Sequence, residues 1–481
     1  MWYGWDIIKG NYFMNERELL NHVFAEIIDK VNKLEAKKDK KGEVIQRTPL
    51  EYCIEILKQT PHKIIASAGR IWIYYNGRYI PINSMAKAEN YIKRLIMKFN
   101  AVRAVPSNLI SAVLNELFTE FHELYMPKNS NVTYINMNSN VLGIHKDGKI
   151  EVLPHDEKYN FTYQLPYNYD ENATSPVFDK FLKTSLVDED LIDVLGEFLG
   201  YVLDNNSKKY EKAFFAYGDG SNGKSTLINI TKALFGVENI SVVEITDMGD
   251  MLKCALMDGK LLNISSDARR NGLETSAFKK IVSGEPVLGK YLFKDIYTIE
   301  NLPKLFVATN KLPFHNGDNS FGFYRRLLLV PFKNIIKDED KDYELESKVI
   351  ANELPAILNF AIKGMQRLNK QGKFTEAVAM KEAMNSYKES SNHVATFIEE
   401  EGYEVVDESS KKGTSLKDLF ADFRKWCQIH GHNPYSSSYL SHELEHMGFI
   451  AYKNSSKYFR IVKNKLKKET GFEPNTDDDY E

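Results

Sequence analysis

KAFFAYGDGSNGKSTLINITKALFG, residues 212–236, organises the reading of the whole chain. An apolar, β-prone run ends in a glycine-rich turn, and the turn opens into a segment with helical spacing. The turn matches GxxxxGK followed by Ser or Thr, from Gly218 through Gly223, Lys224 and Ser225. Glycines let the backbone curl with its N–H groups pointing inward, a nest for phosphate oxygens at a helix N-terminus. Lys224 is placed to reach the β- and γ-phosphates, and the Ser225 hydroxyl to ligate Mg²⁺. The expected binding set is Gly218, Gly220, Asn222, Gly223, Lys224, Ser225 and Thr226, and the expected ligand is a nucleoside triphosphate with its metal.

Working outward, near-continuous apolar strands alternate with helical patterns up to about residue 335: KLLNIS, SAFKKIVSG, PKLFVATN, RRLLLVPF. That rhythm predicts an α/β sheet covered on both faces. A P-loop needs an acid at a neighbouring strand tip to hold the metal or polarise water, and Asp267, closing KLLNISSD, is the candidate. Only one carboxylate stands there, after Ser265 and Ser266, so it is expected to serve both tasks. Asn310, closing KLFVATN, offers an amide that orients water without adding negative charge. Arg325 and Arg326 precede a buried run and must point different ways. One fits a scaffold ion pair, and the other an arginine finger reaching a neighbouring subunit's phosphate.

Upstream, LVDEDLIDVLGEFLGYVLDN (186–205) reads as a helix leading into the P-loop strand, and ELPAILNFAIKGMQRLNKQG (353–372) as another. Residues 48–185 read as a small α+β domain. In it, Asn76-Gly77 sits between two β-prone runs as a type I′ hairpin turn, and helices are expected near 85–99 and 108–125. A helix spans 14 to about 40. The last 85 or so residues carry two short helical patterns and then two strands around Asn-Ser-Ser, which fits a winged-helix unit. The expected domains are 1–45 (helix and charged linker), 46–185 (accessory), 186–380 (ATPase) and 381–481 (linker and winged-helix-like module).

Composition narrows the classes. Apolar residues make up 43% and charged ones 27%, the balance of a globular chain, and its length calls for several domains. Cys53, Cys254 and Cys427 lie far apart, which excludes a disulfide framework and a cysteine zinc site and points to a reducing compartment. The start lacks a signal-peptide pattern, and no run approaches a membrane span, so a cytoplasmic location, in a bacterium or a phage-infected host cell, is expected. The formal net charge of −3 gives no global nucleic-acid signal. The local signal is FKKIVSGEPVLGKYLFKD (278–295), where lysines alternate with Tyr291 and Phe293. Lysines neutralise phosphates and aromatics stack on bases. A solvated hairpin with a core-facing aromatic fits the same residues.

Taken together, GDGSNGKST, GKLLNISSD, FKKIVSGEPVLGKYLFKD, PKLFVATNKLPF and FGFYRRLLLVPF resemble superfamily 3 helicases. More closely, they are similar to the helicase portion of phage and plasmid primase-helicases, the poxvirus-like branch of the AAA+ ATPases. LPHDEKYNFTYQLPYNYDENATSPVFDKFL and LGEFLGYVL resemble the domain that precedes the ATPase there, so the likeness runs from about 130 to 400. It implies an AAA+ P-loop core between an N-terminal α+β/helical domain and a C-terminal winged-helix-like domain. The implied activity is that of an ATP- and Mg²⁺-dependent DNA helicase. Such a helicase forms a hexameric ring, moves 3′ to 5′ on single-stranded or forked DNA, and works beside a separate primase or polymerase. By motif, Lys224 and Ser225 fall in Walker A, Asp267 at Walker B, Asn310 at sensor 1, and Arg325 or Arg326 at the finger. Lys279, Lys280, Lys290, Tyr291 and Lys294 fall in the DNA-contacting segment.

The chain departs from that family in two ways. Asp267 stands where Glu is usual, which retracts the carboxylate by one methylene. The residues before 130 carry no catalytic carboxylate set for a primase. Two other readings remain open on the residues: an ATP-dependent origin-binding or loading protein, separated by strand displacement on forks, and a non-enzymatic P-loop scaffold, separated by phosphate release.

Overall fold

The computed structural model describes residues 64–67, 70–81, 131–204, 209–266, 275–291, 296–310, 321–391, 393–406, 412–430, 436–453 and 456–463, with isolated positions at 40–42, 51, 93, 112, 312 and 434. Asp267, Phe293 and Lys294 lie outside the described residues, as do the expected helices at 14–40, 85–99 and 108–125 apart from single positions. The chain forms two units. One comprises Met1–Ala268, Ser276–Lys311 and Arg326–Ala377, and the other Arg269–Thr275, Leu312–Arg325 and Val378–Glu481.

The first unit begins with two antiparallel three-stranded sheets: β1 (Ile64–Ser67), β2 (Arg70–Tyr75) and β3 (Arg78–Pro81), then β4 (Val132–Asn136), β5 (Val141–His145) and β6 (Ile150–Leu153). Asn76 and Gly77 both have positive φ (47° and 84°), and Tyr75 faces Arg78 across them. This is the two-residue turn that the Asn-Gly pair predicts. The fully buried Asn136 ties the sheets together, its amide donating to Gly77 O (3.1 Å) and Tyr163 O (2.7 Å).

Two helices follow, α1 (Pro176–Ser185) and α2 (Glu189–Leu203), and lead into the central layer. Its order along the chain is β7 (Ala213–Tyr217), α3 (Lys224–Phe235), β8 (Ile240–Ser241), α4 (Met251–Cys254), β9 (Leu262–Ser265), α5 (Thr275–Ser283), the hairpin β10 (Val287–Lys290) and β11 (Ile296–Ile299), and β12 (Lys304–Thr309). After α6 (Phe321–Tyr324), which belongs to the second unit, come β13 (Leu327–Pro331), α7 (Leu345–Asn352) and α8 (Leu354–Gln371). The sheet order is β13-β7-β12-β9-β8, and every pairing is parallel. Strands buried on both faces need apolar residues throughout. AFFAY, KLFVAT and LLLVP meet that need, which is the expected α/β core. All strand C-termini therefore lie along one edge, where open parallel sheets bind their ligands.

The helices around the sheet pack through specific small and polar residues. α2 and α8 cross closely at glycines: a Cβ on Gly200 would stand 2.4 Å from Ala361 O, and one on Gly364 2.1 Å from Gly196 C. Glu353, at the start of α8, accepts from Val177 N (3.0 Å) and Phe178 N (2.8 Å), satisfying the first-turn donors of α1.

The second unit contains α9 (Val378–Ser391), α10 (His393–Glu400), β14 (Tyr403–Val405), β15 (Thr414–Ser415), α11 (Leu416–Ile429), α12 (Ser437–His446), β16 (Ala451–Lys453), β17 (Lys457–Phe459) and β18 (Ile461–Lys463). Its own core gathers Phe397, Leu419, Phe423, Trp426, Leu440 and Phe459. The expected pair of helices followed by a hairpin is present as α11, α12 and β16–β17, with β15 joining the sheet. No helix among the described residues is long and apolar enough to cross a membrane.

Candidate nucleotide site

The loop between β7 and α3 is held open by its glycines and braced by its neighbours. Gly218 (φ 151°) lies against the next strand, where a Cβ would meet Phe332 O at 2.3 Å. Gly223 is left-handed (φ 88°), and a Cβ there would meet Ser185 Oγ at 2.6 Å and Phe181 Cε2 at 2.8 Å. Gly220 differs, since a Cβ would touch nothing within 4 Å, so packing does not demand glycine there. Asn222 is buried and works as a brace: its amide donates to Phe332 O (2.9 Å) and bonds Asp219 O. Ile336 N donates to Ser221 O (2.7 Å), and Gly218 N to Thr309 O (3.3 Å).

Lys224 opens α3 and is 8% exposed. Its three donors go to Gly218 O (2.6 Å), Asn222 Oδ1 (2.8 Å) and Asp219 O (3.2 Å). All three acceptors are neutral, and among the described residues no carboxylate forms an ion pair with it. Burial pushes the ammonium pKa below the ordinary lysine value, against a smaller opposing pull from Asp219. The helix N-terminus compounds the excess of positive charge: α3 has no side-chain cap and no acid in its first turn, so its leading N–H groups and Lys224 share one uncompensated end. An anion that takes the place of the carbonyls answers both needs. Ser225 is exposed and Thr226 half-buried at that end. The residues present therefore suit a triphosphate, with the Ser225 hydroxyl available to a metal.

The neighbouring tips are in register with this loop. Tyr217 pairs with Thr309, so Asn310, exposed, is the first residue beyond the strand beside the P-loop. Ser265, the last residue of β9, pairs with Val307 on the far side of that strand, two residues before Thr309. There the structure supplies a residue that the sequence reading missed. Ser265 Oγ donates to Glu244 Oε2 (2.5 Å), bringing a second acid to the end of β9. Its only trace in the sequence is indirect: Asn263 and Ser265 are polar in an otherwise apolar strand.

The remaining candidates separate. Arg326 is buried, donates to Ser283 Oγ (2.6 Å) and pairs with Glu211 (3.2 Å). Arg325 is exposed. Lys280 is exposed on α5, with Lys279 and Lys290 half-buried. Tyr291, expected to stack on a base, donates its hydroxyl to Ala255 O (3.1 Å) and stacks on Tyr297 (centroids 5.4 Å apart, 10°). The hairpin uses that aromatic to hold itself against the core.

Residues 216–326 match a family of unknown function, DUF5906, and the match contains the P-loop, β9, β12 and the arginine pair. A protein of Acanthamoeba polyphaga mimivirus whose name describes it as a putative helicase is 21% identical over 281 residues, covering 53% of this chain and 29% of that protein. The chain thus spans under a third of that relative's length. Among solved structures, two apo structures of the NrS-1 C-terminal region superimpose with a TM-score of 0.47 at 13% and 12% identity, each covering 87% of this chain and 99% of the other.

Proposed function

We propose that this chain binds and hydrolyses ATP with Mg²⁺ and uses the hydrolysis to move along DNA as a helicase. The observation that carries the reading is Lys224, buried on neutral oxygens at an uncapped helix N-terminus on the C-terminal edge of a parallel sheet. The helicase name of the mimivirus relative and the resemblance to superfamily 3 helicases support the DNA half.

In this reading the triphosphate displaces the loop carbonyls from Lys224, whose ammonium then neutralises the β- and γ-phosphates. Ser225 and Asp267 would hold Mg²⁺, which would supply charge compensation on the phosphate oxygens. Asn310 orients the attacking water from the adjacent tip. Arg325 reaches the γ-phosphate of a neighbouring subunit in a ring, the AAA+ arrangement, and hydrolysis moves the segment from Lys290 to Lys294 along the DNA backbone. Translocation is 3′ to 5′, and the C-terminal unit is of winged-helix type. The origin-binding alternative draws its duplex contacts from that unit. It is disfavoured because α12 contains Glu443 and Glu445 and no Lys or Arg to meet phosphates.

The test is phosphate release with and without single-stranded DNA, together with unwinding of 3′- and 5′-tailed forks. DNA-stimulated release and unwinding from the 3′ tail are expected, both lost in Lys224→Ala. Full activity in that variant overturns the proposal.

A further inference from the structure

Ser185, the last residue of α1, is 1% exposed, and its hydroxyl has no hydrogen-bond partner among the described residues. A serine or threonine in a helix commonly bonds back to the carbonyl four residues earlier, as the preceding Thr184 does to Lys180 O (2.9 Å). Ser185 makes no such bond, and an unpaired buried hydroxyl is unfavourable where alanine would fill the place without that demand. What it faces is the nucleotide loop. A Cβ on Gly223 would stand 2.6 Å from Ser185 Oγ and 2.8 Å from Phe181 Cε2, so the hydroxyl lies against the backbone immediately before Lys224. The corner that presents it is constrained. Asn334 Nδ2 donates to Thr184 O (2.6 Å), and Val187 is held at φ 63°, a conformation that β-branched residues rarely adopt.

The peptide between Asn222 and Gly223 gives that hydroxyl a task. In the free loop Lys224 rests on Gly218 O, Asp219 O and Asn222 Oδ1, and a bound phosphate draws it from all three. Loop N–H groups, that of Gly223 among them, then turn to the phosphate oxygens. A trans peptide is planar with its carbonyl and N–H pointing opposite ways, so an N–H turned inward sends the preceding carbonyl outward. Gly220, Ser221 and Ser225 are exposed on the side a nucleotide enters, whereas Ser185 and Phe181 close the buried side at Gly223. A carbonyl turned to that side meets no water and needs a donor. We infer that Ser185 is a positioning residue for the nucleotide loop: its hydroxyl donates to the Asn222 carbonyl when the Gly223 N–H takes the phosphate. Glycine makes the rotation accessible, since Gly223 is at φ 88° and turns through positive φ without steric conflict. The bond belongs to the loaded loop, so Ser185 adds to nucleotide affinity and not to the stability of the free fold. The inference rests on the nucleotide reading above and extends that site to a residue outside the loop motif.

The test compares wild type with Ser185→Ala, Thr184→Ala and Lys224→Ala in the full chain. It measures affinity for a fluorescent ATP analogue with Mg²⁺, the Tm of the free protein, and the rise in Tm at a fixed concentration of the analogue. Ser185→Ala is expected to weaken affinity about 10-fold and to shrink the rise in Tm, while the free protein melts at the wild-type temperature or above it. A serine that only packs would do the reverse, lowering the free Tm and leaving affinity alone. Thr184→Ala, whose lost hydroxyl bonds its own helix, should bind as wild type does; a loss there equal to that of Ser185→Ala counts against the role. A Ser185→Ala affinity within about twofold of wild type, beside a weakly binding Lys224→Ala, sinks this inference alone. So does a Ser185→Ala chain that unfolds or melts lower when free. A wild type that does not bind the analogue sinks the nucleotide reading beneath it.

Discussion

Lys224 and Lys463 are the same residue type held in opposite ways. Lys224, in the first unit, directs its donors at two backbone carbonyls and an amide oxygen. Lys463, in the second, faces Asp422 (3.0 Å) and Glu401 and lies over the Tyr403 ring. Burial lowers the first lysine's pKa. For the second, burial works the same way, but the hydrogen bonds it donates to its two carboxylates outweigh it and raise the pKa. A cation resting on neutral oxygens is available to an incoming anion, whereas one already neutralised is part of the frame. Arg326 belongs with the frame in the same way, paired with Glu211 and Ser283.

The arginine pair offers the largest effect by which to break that contrast. Arg325→Ala is expected to lower ATP turnover on the order of 1,000-fold with Tm unchanged. Arg326→Ala, which removes a buried guanidinium from Glu211 and Ser283, is expected to cost about 3 kcal/mol of stability. If Arg325→Ala leaves turnover intact, exposure at that position has no catalytic meaning. Next come the loop glycines. Gly218→Ala forces a Cβ onto a backbone carbonyl and is expected to destabilise the protein by about 1–3 kcal/mol and abolish nucleotide binding. Gly220→Ala should leave Tm alone, and any loss of affinity there reports close approach of phosphate to the backbone.

Smaller still is Lys463→Met. Half-exposed partners screen its pairs, so a loss of about 1 kcal/mol is expected, with turnover unchanged. The smallest effect is on pH dependence. A bound phosphate raises the Lys224 pKa that burial lowers in the free protein, so binding is accompanied by proton uptake once the pH exceeds the lowered value. Affinity for the ATP analogue should therefore fall as pH rises, starting below the ordinary lysine range near 10.4. Lys463, with its raised pKa, should add nothing to that slope.

How much of this was legible in the sequence follows the same division. The P-loop, the strand tips and the all-parallel sheet could be read because their signals are local: GDGSNGKST, apolar runs and helical spacing lie within a few residues of each other. The Asn76-Gly77 hairpin was legible for the same reason. Partnerships across the sheet were not. Glu244 meets a serine 21 residues away in sequence, and Arg326 meets one 43 residues away, and no periodicity encodes either meeting. Asn263 and Ser265 were visible as polar breaks in KLLNISSD, but a break has no meaning until its partner is known. Tyr291 shows the converse. Aromatics between lysines suggested either stacking on bases or a hairpin with a core-facing aromatic, and the Ala255 carbonyl that Tyr291 meets, 36 residues away, lies beyond a local reading.

The central claim is that Lys224 awaits a triphosphate. Titration of the full chain with a fluorescent ATP analogue, with and without Mg²⁺, tests it most directly. Saturable, Mg²⁺-strengthened binding is expected for the wild type, weakened on the order of 10- to 100-fold in Lys224→Ala and unchanged in Lys463→Met. Identical curves for wild type and Lys224→Ala, or no saturation in either, would contradict the account.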